Sequence, residues 1–346
     1  MFAQVHHPQS LRIEELDQYL VQGWFRMGQT IFTTNFLHFK NEFYSAIWLR
    51  VWLPDFIEDS TQKKLFKRNA SFTVTIQPAI VTAEKEMLFA LYKQSVTFEA
   101  SASLDQLLYG KTGRNIYNTY EIVIHDGDAL VGVGFFDLGK DSAEGISSFY
   151  DPAYKKYSLG KYLIYLKMNY CKQLGLKYFY PGYFVPGYSY FDYKLDIGKA
   201  SLQYFNITAQ RWLPVQGLLP ENIPYRVMQQ KLTFVQQLLA EAGIESRILK
   251  YEYFDANLIP DLKDAALFDY PLFLSWQTGD SIDVMVVYDS MDEQYHLITC
   301  INIWKPETTK GTEGIFSSYL IKMSQDLYQT QSPQDLVLAL TTTLTR

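Results

Sequence analysis

The sequence predicts an α/β protein, α+β in its detail, built around a mixed β-sheet. Three observations carry that expectation. A tight hairpin, TYEIVIH then Asp126-Gly127-Asp128 then ALVGVGFFDL, is followed over residues 145–184 by strand, helix and strand, an order that gives one sheet both antiparallel and parallel neighbours. Aromatic residues reach 16%, with 27 Tyr and 23 Phe, a load that suits half-buried strands and aromatic-lined clefts. Hydrophobic residues at 48% against 20% charged belong to a folded chain that can bury a core without disulfide staples.

Taken in order, LRIEELDQYL has apolar Leu11, Leu16 and Leu20 with early acids, the pattern of a short helix. FYSAIWLRVWL, residues 43–53, reads as one strand ending at Pro54. The basic stretch STQKKLFKRN follows, then SFTVTIQ alternates as a strand, and TAEKEMLFALYKQSV is helical with Met87, Leu88, Leu91 and Tyr92 apolar. After the hairpin, GISSFYD is a third strand. The next helix has Ser158 at its N-cap, a stripe of Leu159, Leu163, Leu166, Tyr170 and Leu174, and Gly175 where a left-handed residue is wanted. LKYFYPGYF returns as a strand. Beyond it, ENIPYRVMQQKLTFVQQLLAEAG is a helix, PLFLSWQ, IDVMVVYD and YHLITCINIW are strands, and FSSYLIKMSQDLYQ and the C-terminus are helices.

Charge divides the chain. Residues 1–214 hold 22 Lys and Arg against 20 Asp and Glu, whereas residues 215–346 hold 9 against 17. Prolines and a glycine interrupting RWLPVQGLLPENIP put a seam near Pro214, and the expected units are an N-terminal domain at 1–109, a middle domain at 110–214 and an acidic α+β domain at 215–346. An acidic surface beside a basic cleft would limit nonspecific RNA binding. Cys171 and Cys300 exclude a disulfide scaffold or a Cys-rich metal cluster and read as buried free thiols. No apolar run approaches the roughly 20 residues that span a bilayer, and no signal peptide opens the chain, so a cytoplasmic protein with no membrane partner is expected. A net charge of −6 argues against a surface coated for DNA. No Walker loop, dinucleotide fingerprint or Ser-His-Asp order stands out, and no cofactor is expected.

The sharpest local feature is DPAYKKYSLGKY at 151–162. A strand entering a helix N-terminus presents unpaired N–H groups to an anion. Gly160 lets backbone approach a phosphate there, Ser158 beside it is a further substrate-binding candidate, and Lys155, Lys156 and Lys161 add charge. Lys167, Lys172 and Lys177 further along read as the solvated face of the helix. Strand–turn–helix–strand is the core order of the acyltransferase fold called GNAT. In this chain its coenzyme A turn becomes Tyr157-x-x-Gly160-x-Tyr162, keeping the glycine and losing both ends, so an acyl-CoA-dependent acyltransferase is the alternative.

A longer match lies over the same residues. Asp151-Pro152, Ser158-Leu159-Gly160, Tyr162, Leu174-Gly175-Leu176, Tyr178, Tyr180, Gly182 and Tyr183 closely resemble the signature region of the arginyl-tRNA–protein transferases and their bacterial leucyl-transferring relatives. Tyr193-Lys194 resembles the family's Tyr-Lys pair; Gly23, Arg26 and Gly28 resemble its Gly-aromatic-Arg motif; Arg50 and residues 60–69 resemble its next basic segments. The resemblance spans about 15–210. The family's N-terminal cysteine cluster has no counterpart in TIFTTNFLHFKNEFYS, and His38 alone cannot make a four-ligand site, so no metal is expected. Residues 215–346 have no recognised counterpart.

The resemblance implies transfer of an aminoacyl group, arginyl or leucyl, from tRNA to the N-terminal amine of an acceptor protein, often one with an acidic first residue. An aminoacyl ester is already activated, so the site has to hold the 3′ end, deprotonate the ammonium and stabilise an oxyanion. Backbone N–H groups of strand 145–150, beside a splayed neighbour, are the oxyanion candidates. Asp151 is a candidate base, with turn capping as the plainer reading; Tyr183 and Tyr193 are candidate proton relays, with aromatic packing as theirs. Lys63, Lys64, Lys67 and Arg68, with Lys155 and Lys156, would grip tRNA phosphates. Arg26 and Arg50 would take a substrate carboxylate, structural ion pairing being the competitor, and Lys194 would bind substrate. A non-catalytic tRNA- or peptide-binding relative is the remaining class.

Overall fold

The chain opens with β1 (Ala3–His6), α1 (Ile13–Val21), β2 (Phe25–Met27) and β3 (Thr30–Thr34), the strands forming a small antiparallel sheet in the order β1-β3-β2. This is a computed structural model, and it describes residues 2–97, 101–110, 113–262, 264–276, 284–304 and 319–344. A hairpin of β4 (Phe36–Phe39) and β5 (Glu42–Ser45) follows, then β6 (Ile47–Trp52). The single strand expected over 43–53 is therefore two strands in different sheets. The break falls at Ala46, whose amide bonds to the Asn35 carbonyl at 2.9 Å instead of continuing the ladder.

The basic stretch is helix α2 (Ser60–Arg68). Asp59 accepts the Gln62 amide at 2.8 Å and the Gln62 side chain accepts the Asp59 amide at 3.1 Å, a capping box that fixes the first turn. Lys67 and Arg68 fall in the last turn, beside unpaired carbonyls. Next come β7 (Thr73–Pro78), α3 (Ala83–Gln94), α4 (Leu104–Tyr109), β8 (Thr119–Asp126), β9 (Ala129–Leu138), β10 (Ser142–Tyr150), α5 (Leu159–Gln173), β11 (Tyr178–Phe184), β12 (Leu202–Asn206) and β13 (Arg211–Pro214).

Eight of these strands make the central sheet, in the order β13-β12-β6-β11-β10-β9-β8-β7. Every neighbouring pair is antiparallel except β10 and β11, which run parallel through the α5 crossover. The mixed sheet and the hairpin are those read from the sequence. Its strands β6 and β7 come from before residue 109, and β12 and β13 reach residue 214.

Helix α5 lies on one face, where Leu159, Leu163, Met168 and Cys171 are fully buried against Ile122, Ile124, Phe136 and Ala143. Each such side chain contributes roughly 1.5–3 kcal/mol of transfer free energy. Gly134 clears the space, because a Cβ there would reach Lys167 Cε at 2.8 Å, whereas one at Gly132 would only touch Ile124 and Leu159 at ordinary contact distance. Gly175, at φ +78°, ends the helix as expected. The opposite face carries Val133, Phe135 and Phe149 under Leu88 and Phe89 of α3 and Leu104 and Leu108 of α4. Of the apolar residues expected on this helix Leu88 is buried, whereas Met87 and Leu91 are 67% and 44% exposed; Phe89 joins Leu88 instead because α3 meets the sheet along the neighbouring stripe.

The last part holds α6 (Pro224–Glu241), β14 (Arg247–Lys250), β15 (Leu272–Ser275), β16 (Val284–Asp289), β17 (Gln294–Trp304), β18 (Leu320–Thr330) and α7 (Pro333–Leu344). Its five strands form an antiparallel sheet in sequence order. The helix expected over 316–329 is wrong: residues 320–330 are an edge strand paired to β17, and 316–318 lie outside the described residues. One core joins this part to the N-terminus, running from Phe2, Leu16, Phe25 and Trp48 to Met228, Phe273 and Leu336. Asp269 adds a polar tie by accepting the amides of Phe2 and Ala3. Cys171 and Cys300 are both buried. Among the described residues no helix is long and apolar enough to cross a membrane.

Candidate active site in a split sheet

Strands β10 and β11 pair only from Ser142–Tyr178 to Glu144–Tyr180. Beyond that point β11 stays with β6 to Phe184, while β10 stays with β9 to Tyr150. The sheet splits there, and the ladder of β10 is further broken by a bulge between Gly145 and Ser147. A cavity of about 320 Å³ occupies the split. Gly145, Ile146, Ser147, Ser148 and Tyr150 of β10 form one wall, and Phe179 and Pro181 of β11 the other. The splayed neighbour expected beside residues 145–150 is thus present, and it leaves one edge of β10 facing the cavity.

The N-terminus of α5 opens onto this space through Gly160 and Lys161. The preceding 3-10 turn, Pro152–Tyr157, is capped by Asp151, whose Oδ1 accepts the Ala153 amide at 2.8 Å. Asp151 does not line the cavity; its carboxylate is spent on the turn, so the structure gives it the capping role rather than that of base. Ser158 occupies the N-cap position, but at φ +54° its hydroxyl makes no capping bond, because the chain must reverse out of the 3-10 turn in a left-handed conformation. Lys161 lies 3.9 Å from Asp196 across a partly exposed surface, a loose pairing of little energetic weight.

Two lysines dominate the electrostatics. Lys167, expected on the solvated face of α5, is 2% exposed. Its Nζ donates to the carbonyls of Phe135 at 2.9 Å and Ser147 at 2.7 Å and to Ser148 Oγ at 3.0 Å, groups that flank the bulge. Burial pulls this ammonium down to about 7. Lys194 donates to the Tyr183 carbonyl at 2.9 Å and packs over Phe191 and Tyr183, and burial pulls it down to about 7 as well. Gly182, at φ +87°, admits Lys194, since a Cβ there would stand 3.1 Å from Nζ. Tyr193 lines the cavity, with desolvation pushing its phenol up to about 12; at neutral pH it can donate a proton but not accept one. Among the described residues no carboxylate, histidine or cysteine lines the cavity.

Three further candidates sit elsewhere. Arg26 is buried, its guanidinium bonded to Asp137 at 2.9 Å, to Thr119 and to the carbonyls of Gly28 and Leu108, and placed 4.4 Å from the Tyr117 ring. Arg50 donates to Gln203 at 2.7 Å and is sandwiched by Tyr178 and Trp212. Neither lines the cavity; Arg26 has all three guanidinium nitrogens bonded within the fold, and Arg50 is held between two rings, so the structural reading is the one these contacts favour. Tyr183 is not a cavity residue either; it meets Trp48 edge-on at 5.0 Å and supplies the carbonyl that anchors Lys194.

The basic segments distant in sequence are stitched together. Arg68 donates to the Lys156 carbonyl at 3.2 Å and Asn69 to the Tyr157 carbonyl at 3.1 Å. Lys63, Lys64, Lys67, Arg68, Lys155 and Lys156 are all exposed, and these bonds join the end of α2 to the turn that precedes α5. A cationic surface therefore leads to the helix entrance where Gly160 and Lys161 meet the cavity. Among the described residues, Asp289, Asp292 and His296 hold donor atoms within 4.8 Å of one another. They stand on the C-terminal sheet, and both His296 nitrogens are already engaged, by Asp292 at 3.0 Å and Asp326 at 2.7 Å.

Residues 84–203 match the family model described as arginine-tRNA-protein transferase, C terminus. An aspartate/glutamate leucyltransferase of Leptospira interrogans is 29% identical over 212 residues, covering 60% of this chain and 80% of that protein. One of Vibrio cholerae is 26% identical over 211 residues, covering 59% and 85%. Among solved structures, L-PGS from Bacillus licheniformis aligns over 40% of this chain and 46% of that one at a TM-score of 0.30 and 14% identity, too loose a likeness to bear on fold or function.

Proposed function

Because the chain belongs to the arginyl- and leucyl-tRNA–protein transferase family, we propose that it moves an aminoacyl group from charged tRNA to the N-terminal amine of an acceptor protein, with the bond made in the β10–β11 split. The observation that carries this reading is the joining of a cavity between parted strands to an exposed cationic surface through one helix N-terminus. Lys63, Lys64, Lys67, Arg68, Lys155 and Lys156 take phosphates of the acceptor stem. The N–H groups at the start of α5, with Lys161, take the terminal phosphate. This places the ester beside β10, where N–H groups between Gly145 and Ser148 can receive the developing oxyanion.

The finer specificity follows from the charge of the cavity. Lys161 and Lys194 line it, and among the described residues no carboxylate does, which suits an acceptor beginning with Asp or Glu and disfavours an arginyl donor side chain. Ile146, Ile164 and Phe179 offer apolar contact to leucyl, the group for which the similar leucyltransferases are named. A reaction that draws on charged tRNA belongs in the cytoplasm. The test is transfer of labelled leucine or arginine from tRNA to peptides starting with Asp, Glu, Ala or Lys. Label from leucyl-tRNA on the acidic peptides alone is the expected result. No label from any charged tRNA, or acetyl transfer from acetyl-CoA instead, would overturn the reading.

A further inference from the structure

We propose that Ser148 and Lys167 form a hydroxyl–amine relay that takes the proton from the acceptor's N-terminal ammonium, an inference that rests on the transferase reading above. An α-ammonium must lose a proton before its nitrogen can attack an ester, and among the described residues no carboxylate, histidine or thiolate lines this cavity to receive it. Ser148 stands on the β10 wall, opposite Gly134 in the β9 register, and it bonds Lys167 Nζ at 3.0 Å. The amine behind it is held from three sides, by the carbonyls of Phe135 and Ser147 and by the Ser148 hydroxyl. Gly134 is required for this placement, since any side chain there would push Lys167 Cε aside.

The surroundings keep the amine available. Cys171 of its own helix is the titratable neighbour of Lys167, and the cavity that Lys167 lines is shared with Lys161 of that helix, Tyr150 of β10, Tyr92 of α3, and Tyr193 and Lys194 of the 3-10 segment Ser189–Asp196. None of these is an anion at neutral pH; burial pushes the Cys171 thiol up to about 12, and Lys161 adds positive charge. A buried lysine with no counter-charge sheds its proton easily, in agreement with its displacement to about 7. With Lys167 neutral, its lone pair accepts the Ser148 hydroxyl, and Ser148 Oγ is free to accept from the substrate ammonium.

The protons balance. One proton passes from the acceptor ammonium through Ser148 to Lys167, leaving an amine. Its nitrogen forms the new bond to the ester carbon as the carbonyl pair moves onto oxygen. When the tetrahedral intermediate collapses, the bond to the ribose oxygen breaks, and Lys167 returns its proton through Ser148 to that leaving oxygen. The second proton on nitrogen goes to water, so ester and ammonium give amide, alcohol and one released proton. Ser148 touches the substrate; Lys167 acts through it.

The experiment compares wild type, Ser148→Ala, Ser148→Thr, Lys167→Met and Lys167→Arg on two acceptors with the same acidic peptide body. One has the ordinary α-ammonium and the other an aminooxy N-terminus, which is unprotonated at neutral pH. For the ordinary acceptor, Ser148→Ala, Lys167→Met and Lys167→Arg are expected to lose about 100-fold in kcat/KM. With the aminooxy acceptor, which needs no deprotonation, most of that loss is expected to vanish. Ser148→Thr, which keeps the hydroxyl, retains transfer to both. Should Lys167→Met fail to fold, Ser148→Ala carries the comparison, because its position is partly exposed and the change is small. Equal losses on both acceptors would show a structural role and overturn the relay while leaving the transferase reading intact. No transfer by the wild type to either acceptor would overturn both.

Discussion

Replacing Lys63, Lys64, Lys67 and Arg68 together by Ala is expected to weaken binding of charged tRNA about 100-fold near 0.1 M salt. The dependence of log affinity on log salt should flatten by about 4 in slope, roughly one for each phosphate contact removed. All four side chains are exposed, and α2 is held by its capping box and by buried Gln62 and Leu65, so the variant should fold. What it loses is charge. Arg68 is the member with a second task, since its bond to the Lys156 carbonyl ties α2 to the turn before α5. Its single replacement should therefore cost more affinity than any one of the lysines. Filter binding across a salt series checks both statements; an unchanged slope would remove α2 from the tRNA surface.

Arg26→Met should cost roughly 3–5 kcal/mol of folding stability, because it leaves the Asp137 carboxylate buried without its partner. The side chains of this pair are 2% and 0% exposed, so solvent cannot replace the lost contact. Arg26→Met with Asp137→Leu should recover much of that loss, since the uncompensated charge is gone. Glu144 completes the cluster: it accepts the Arg26 amide at 3.0 Å, and burial, then the Asp137 charge, push its carboxyl up to about 8. The folded state therefore keeps a proton that the unfolded chain has released above its ordinary range. This contribution is full below about 4.5, declines as pH rises, and is gone above about 8. Glu144→Gln should flatten that window in denaturant titrations. Were Arg26 instead a substrate contact, Arg26→Met would raise KM and leave the melting temperature alone.

The fold was most legible where a short-range pattern decided it. Asp126-Gly127-Asp128 between alternating apolar residues specifies a hairpin with little help from the rest of the chain, and Gly175 marks a helix end at the residue that adopts φ +78°. Strand β18 was illegible for the converse reason. Leu320, Ile321, Met323, Leu327 and Tyr328 fall at helical spacing, and only pairing to β17 overrides that pattern. The site was legible in place but not in its residues. Gly160 and Lys161 pointed to the cavity, yet lysine in a helix reads as solvated, and Lys167 is buried only because Gly134, brought next to it by the hairpin register, leaves room. A glycine pair at alternate positions in ALVGVGFFDL was the available signal: it marks a helix pressed close to the sheet. Arg26 stood among aromatics as the sequence indicated, but Asp137, 111 residues on, could not be matched to it without the sheet order.

The central claim is that the amide bond forms in the split between β10 and β11. Its most direct test is a structure of the protein with a non-hydrolysable 3′-leucylamido-adenosine. The account expects the terminal phosphate side at the start of α5, the leucyl carbonyl against Gly145–Ser148, and the α-carbon side facing Lys194. Binding of the analogue at any other surface, with the split left empty, would contradict it.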